Sequence, residues 1–218
     1  MVAVDILSVF AVECILKVLT TIAVTEKGRK QRMKLKQIES ILKPNKNVLL
    51  YTTEAAQWIG DDAAMYPIYG MPHLTEENIL VMWGVPEDKR EKWHFRFGET
   101  LAPSMFADSV AGEQLIERGM SCISVSGGLA EPLRTEQGIL FVNQRYLKPF
   151  DDLENGYDLY ARLDSRGVPY IAVKEGYALV GIVYPMSIID DKFIAELEEL
   201  LSLSRLAKEN RYGTKPDA

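Results

Sequence analysis

Four apolar positions, Leu35, Ile38, Ile41 and Leu42, share one face of a helical wheel with Lys36, Ser40 and Lys43 opposite, and Pro44 closes the run. This pattern predicts a helix beginning near Met33. After it the period shortens. Asn47 to Thr53 reads as a strand, and Gln57–Ile59 with Ala63–Ile68 reads as a hairpin around Gly60-Asp61-Asp62. Thr75-Glu76-Glu77 starts a helix reaching Trp83, with acids in the first turn where the helix dipole favours them. Pro86 opens another helix through the charged run Glu87–Lys92, and Trp93 to Phe97 alternates like a strand.

A second series follows a polar, proline-containing break at Glu99 to Ser104. Asp108 to Arg118 suggests a helix, and Ser121 to Ser126 a strand stopped by Gly127-Gly128. The run Ile139 to Val142 is too short for a helix and rich in strand formers. Asn143 caps a single helical turn, Arg145 to Lys148, which Pro149 stops. Tyr157–Leu163, Pro169–Val173 and Ala178–Tyr184 are three strands in antiparallel sequence, the last two joined by a hairpin at Lys174-Glu175-Gly176-Tyr177. Asp190-Asp191 caps a final helix running to about Lys208, with Phe193, Ile194, Leu197, Leu200 and Leu201 as its apolar face, and Asn210 to Ala218 reads as a frayed tail. The fold class expected is α+β, antiparallel sheets with short helices. Helix, strand, helix, strands occurs twice, a faint repeat. The divisions expected are an N-terminal helical extension (1–32), a first α+β domain (33–101), a second (102–189), and a C-terminal helix with its tail (190–218).

Val2 to Val24 is the most apolar stretch, but Asp5, Glu13 and Lys17 interrupt it. It is read as a packed or partner-binding helix, with a signal-anchor as the alternative. Two cysteines, Cys14 and Cys122, stand far apart and outside any C-x-x-C spacing, which fits a reducing cytoplasm and neither a disulfide framework nor a zinc site.

Charge changes the picture more. The net charge of −6 divides unevenly: Glu26 to Lys46 carries +6 and the rest of the chain −12. Such asymmetry points to a local anion-binding surface on an acidic body. Lys27, Arg29, Lys30, Arg32, Lys34, Lys36 and Lys43 are the candidate phosphate contacts, a solvated linker being the plainer reading.

The order Phe141-Val142-Asn143, Tyr146-Leu147, strand, Pro169-led strand, Gly176-Tyr177 and a closing apolar strand ending Tyr184-Pro185-Met186 resembles the C-terminal domain of a bacterial DNA sliding clamp. The likeness covers about a quarter of the chain, residues 138–186, as order and spacing with few identities. It departs where Pro149 shortens the helix and where the chain continues past Met186. The resemblance implies repeated clamp-like domains, an oligomer, and sequence-independent DNA contact that would include Arg145 and Lys148. It also implies an apolar pocket for a replication or processing partner at Leu179, Ile182, Val183, Tyr184, Pro185 and Met186. The acid pairs Asp61-Asp62, Asp151-Asp152 and Asp190-Asp191 sit where turns and caps use aspartate, and His73 and His94 lack partners. No catalytic constellation, metal site or cofactor motif is read here. Three functions remain open: a non-enzymatic, cytoplasmic, clamp-like tether on DNA, a protein-interaction adaptor without DNA binding, and a metal-dependent nuclease.

Overall fold

The amphipathic stripe after Met33 becomes helix α1 (Leu35–Asn45), which buries Ile38, Ile41 and Leu42 and ends at Lys46, a non-glycine residue in the left-handed region. The computed structural model describes residues 35–98, 101–119, 121–125 and 128–212. The expectations for residues 1–34, including the Val2–Val24 helix, lie outside that range.

Strands β1 (Asn47–Thr52), β2 (Gln57–Gly60) and β3 (Ala64–Ile68) form an antiparallel meander. Helix α2 (Glu76–Met82) starts at a capping box. The Thr75 hydroxyl accepts from the Asn78 backbone N–H, and the Asn78 side chain accepts from the Thr75 N–H. The charged run after Pro86 forms only a single turn, α3 (Glu87–Arg90). It leads to β4 (His94–Phe97), which pairs parallel with β1. Short strands β5 (Gln114–Leu115), β6 (Glu117–Arg118) and β7 (Ile123–Val125) follow, then β8 (Gly128–Thr135) and β9 (Gly138–Asn143). Two 3-10 turns, Gln144–Tyr146 and Lys148–Phe150, precede β10 (Asp158–Leu163), β11 (Pro169–Glu175) and β12 (Ala178–Val183). The chain then enters α4 (Asp191–Tyr212).

Eight strands build one sheet in the order β4-β1-β2-β3-β12-β11-β10-β5. A smaller sheet forms on β8, which pairs with β9 along one edge and with β6 and β7 along the other. The protein is an α+β fold with antiparallel pairing dominant. The large sheet is buried on both faces, so its central strands read as near-continuous apolar runs. Ile171 and Val173 face the main core with α1, Phe150 and the small sheet, while Tyr170 and Ala172 face a second cluster with Trp58, Met65 and Met105. In β12 the ladder runs from Leu179–Lys174 to Gly181–Val173, leaving Val180 as an unpaired bulge residue. Gly181 thereby faces Phe150, whose ring fills the space a Cβ would need.

Four expectations change. Asp108 to Arg118 is a loop ending in β5 and β6, because its charged groups are drawn into ion pairs with the sheet (below) and Gly112 adopts a left-handed φ of 80°. With that helix gone, the second half does not reproduce the helix-strand-helix order of the first. The boundary at 101/102 does not separate two sheets, since β3 pairs with β12 through Met65–Ile182 and Ala64–Val183. The single turn expected at Arg145 to Lys148 is split into two 3-10 turns, with Pro149 inside the second.

Candidate functional site

Four charged residues are buried in the described structure: Asp61, Glu131, Arg162 and Lys174. Each has partners, as burial of a charge requires. Asp61, in the β2–β3 turn, accepts from the backbone N–H of Ala63 (2.9 Å) and Ala64 (3.1 Å) and from the Asn45 side chain (2.9 Å). The Tyr146 hydroxyl also approaches it at 3.4 Å, and the Tyr66 hydroxyl donates to the Tyr146 carbonyl at 3.0 Å. Burial, reinforced by the Asp61 charge, pushes the Tyr66 phenol well above its ordinary value. This knot ties the end of α1 to the sheet and to the turn after β9.

Glu131 on β8 is clasped by both Nε and Nη2 of Arg118 from β6. That hydrogen bond, more than the opposing effect of burial, raises the guanidinium above its ordinary value. Arg118 also donates to the Tyr157 hydroxyl at 2.9 Å, and Tyr157 is pushed up to about 12, chiefly by burial.

The third group pins a flap. Residues 101–106 lie over one face of the large sheet, with Phe106 stacked on Tyr51 at 4.3 Å and edge-on to Trp58 at 4.9 Å. Behind the flap, Arg162 of β10 donates to the carbonyls of Ala107 (2.8 Å) and Asp108 (3.0 Å) and to the Glu113 carboxylate. Lys174 of β11 donates to the other Glu113 oxygen at 2.7 Å and lies 4.5 Å from the centre of the Tyr160 ring. The Asp108 carboxylate accepts from the Leu179 N–H at 2.9 Å. Burial pushes Glu113 up, but the hydrogen bonds from Lys174 and Arg162 outweigh it and hold the carboxyl below its ordinary range.

At the edge of the flap a cleft of about 280 Å³ opens, with an apolar floor of Leu49, Met65, Met105, Phe106, Ile182 and Tyr184. Asp61, Asp62 and Arg166 also line it. Asp62 is paired with Arg96, and Arg166 with Asp164.

Of the residues expected to contact a partner, Ile182 and Tyr184 therefore line this cleft. Of these two, Ile182 is fully buried; it, Leu179 and Val183 are core residues, out of reach of a partner in this arrangement, and Tyr184, Pro185 and Met186 are half-buried. Of those expected to contact DNA, Lys27, Arg29, Lys30, Arg32 and Lys34 lie outside the described residues. Lys43 is paired with Glu39 at 2.9 Å and donates to the Trp83 carbonyl at 2.8 Å. Arg145 donates to the Ile41 carbonyl at 3.0 Å and lies over the Tyr146 ring, so it fastens the turn to α1. Lys36 and Lys148 are exposed, with no ion pair among the described residues. The acid pairs serve the structure: Asp151 accepts from Tyr157, Asp152 from Gln37, and Asp190 from the Phe193 N–H at the start of α4. Among the described residues no three His, Cys, Asp or Glu side chains are grouped to hold a metal, and no helix is long and apolar enough to cross a membrane.

Sequence reasoning missed the Arg162–Glu113–Lys174 group. Its one visible signal was Lys174 directly after the apolar run Tyr170 to Val173, since a charge in a buried strand needs a partner.

The most open surface is α4. Phe193 packs edge-on against Phe141 at 5.4 Å, and Phe193 and Leu197 are half-buried. Beyond Leu197 every residue through Arg211 is exposed, including Leu200, Leu201, Leu203 and Leu206. The expected apolar face is therefore only partly used, by the two residues nearest the body. No family model, curated protein or solved structure matches this chain.

Proposed function

We propose that the protein is a non-enzymatic interaction module, a globular body that presents α4 to another protein. The observation that carries this reading is the exposure of four leucines on a 22-residue helix that, among the described residues, packs on the body through Phe193 near its start. A helix gains most of its stability in a protein from packing its apolar face. Leucines left in water on such an element are what a contact surface looks like before it is covered. A photo-crosslinking residue in place of Leu203 tests the idea in cells, with one in place of exposed Leu163 on β10 as the control. Protease-sensitive adducts from position 203 and not from 163 are expected. Equal yields from the two positions would overturn the reading.

A second reading, tethering on DNA without sequence preference, is favoured by one specific feature. The +6 segment includes α1, where Lys36 is exposed, and the turn bearing exposed Lys148 is fastened to α1 by Arg145. Its test is retention on DNA as salt rises, which should fall when Lys30, Arg32 and Lys36 become Glu. In the crosslinking assay, adducts sensitive to nuclease and resistant to protease would favour this second reading over the first.

A further inference from the structure

We propose that the partner of α4 is a second copy of this chain, its α4 lying antiparallel across the first. The inference rests on the reading of α4 as a contact surface and names what covers it. Leu200, Leu203 and Leu206 are 57, 53 and 54% exposed. Their spacing of three and three is symmetric about Leu203, so a two-fold axis through that residue sets Leu203 on Leu203 and Leu200 on Leu206. A two-fold axis makes an interface of one patch on itself, which only a self-complementary surface can satisfy.

Charge decides the direction. The first part of α4, Asp191 to Glu199, carries −3, and the last part, Arg205 to Arg211, carries +2. Parallel packing would set acid on acid and base on base. Antiparallel packing about Leu203 brings Glu196 and Glu199 of one copy opposite the Lys208–Arg211 turn of the other. Like charges brought together at an interface oppose association, so the pattern rejects the parallel form as well as favouring the antiparallel one. One helix pair is a small interface, so dissociation on the order of micromolar is expected.

The test uses the full chain with Cys14 and Cys122 replaced by Ser. Leu203→Cys should then form an interchain disulfide on mild oxidation. Leu200→Cys should crosslink to a differently tagged Leu206→Cys chain and not to itself. Sedimentation should show a concentration-dependent dimer that Leu203→Glu abolishes while the far-ultraviolet circular dichroism of the folded body is unchanged. Reversing Glu196 and Glu199 to Lys should weaken the dimer tenfold or more, and adding Lys208→Glu and Arg211→Glu in the same chain should restore it. A single-chain mass at all concentrations overturns the proposal, as does Leu200 crosslinking to itself. An intrachain adduct between position 203 and the apolar stretch Val2–Val24 overturns it too, because α4 would then be covered by its own chain. If crosslinking at Leu203 yields a different protein, this inference fails while the interaction-module reading stands. No protein adduct at all sinks both.

Discussion

Replacing Glu113 by Ala removes the anion that two buried cations share. The Arg162 side chain is 0% exposed and that of Lys174 5%, so neither can turn to water without disturbing the sheet. Removing one partner of a buried pair costs about 3–5 kcal/mol, because the remaining charge stays desolvated. Arg162 keeps the carbonyls of Ala107 and Asp108, and Lys174 keeps the Tyr160 ring, so the lower end, about 3 kcal/mol, applies here. With a urea slope of about 2–3 kcal/mol/M for a chain of this size, the unfolding midpoint should drop by about 1–1.5 M. Far-ultraviolet circular dichroism during urea unfolding measures that midpoint. Glu113→Ala combined with Lys174→Met separates lost charge from lost packing, and the pair should be more stable than Glu113→Ala alone. A midpoint within about 0.3 M of wild type, or further loss in the double variant, would refute the reasoning.

Three other outcomes are expected. The Glu113 carboxyl is held below its ordinary 4.5, so its contribution is fully present above that pH and is lost as pH falls through 4.5 and then through the lower folded value. The melting-temperature advantage of wild type over Glu113→Gln should shrink between pH 6 and 3, and a constant difference would contradict the assignment. Gly181→Ala places a Cβ in the Phe150 ring and should cost about 1–3 kcal/mol, with Phe150→Leu recovering part of the loss, both read by urea midpoints. If the basic segment holds DNA, Lys30→Glu, Arg32→Glu and Lys36→Glu together should weaken retention and reduce the salt slope by roughly 2–3, and an unchanged slope removes that segment from the mechanism.

Local pattern was enough for the elements whose determinants lie within a few residues of one another. The stripe of α1, the start of α2 at Thr75-Glu76-Glu77, the Gly60-Asp61-Asp62 turn, the hairpin between β11 and β12 and the Asp190 cap of α4 were all legible, because each depends on side chains within a turn or on strand alternation. The expected helix at Asp108 to Arg118 failed for the opposite reason. Its Glu113 answers to Arg162 and Lys174, more than forty positions away, and those contacts outweigh weak helix propensity. Distance in sequence likewise hid the pairing of β3 with β12 that joins both halves into one sheet, and the cleft that Met65, Met105, Ile182 and Tyr184 share. The sequence by itself determined the α+β class, the amphipathic helices and the basic run before α1, since composition and short-range periodicity carry them. Only the tertiary structure decided which apolar faces are covered. It seated Leu179 and Val183 in the core and left the leucines of α4 in water, because burial depends on what long-range packing brings alongside a residue and not on the residue's own hydrophobicity.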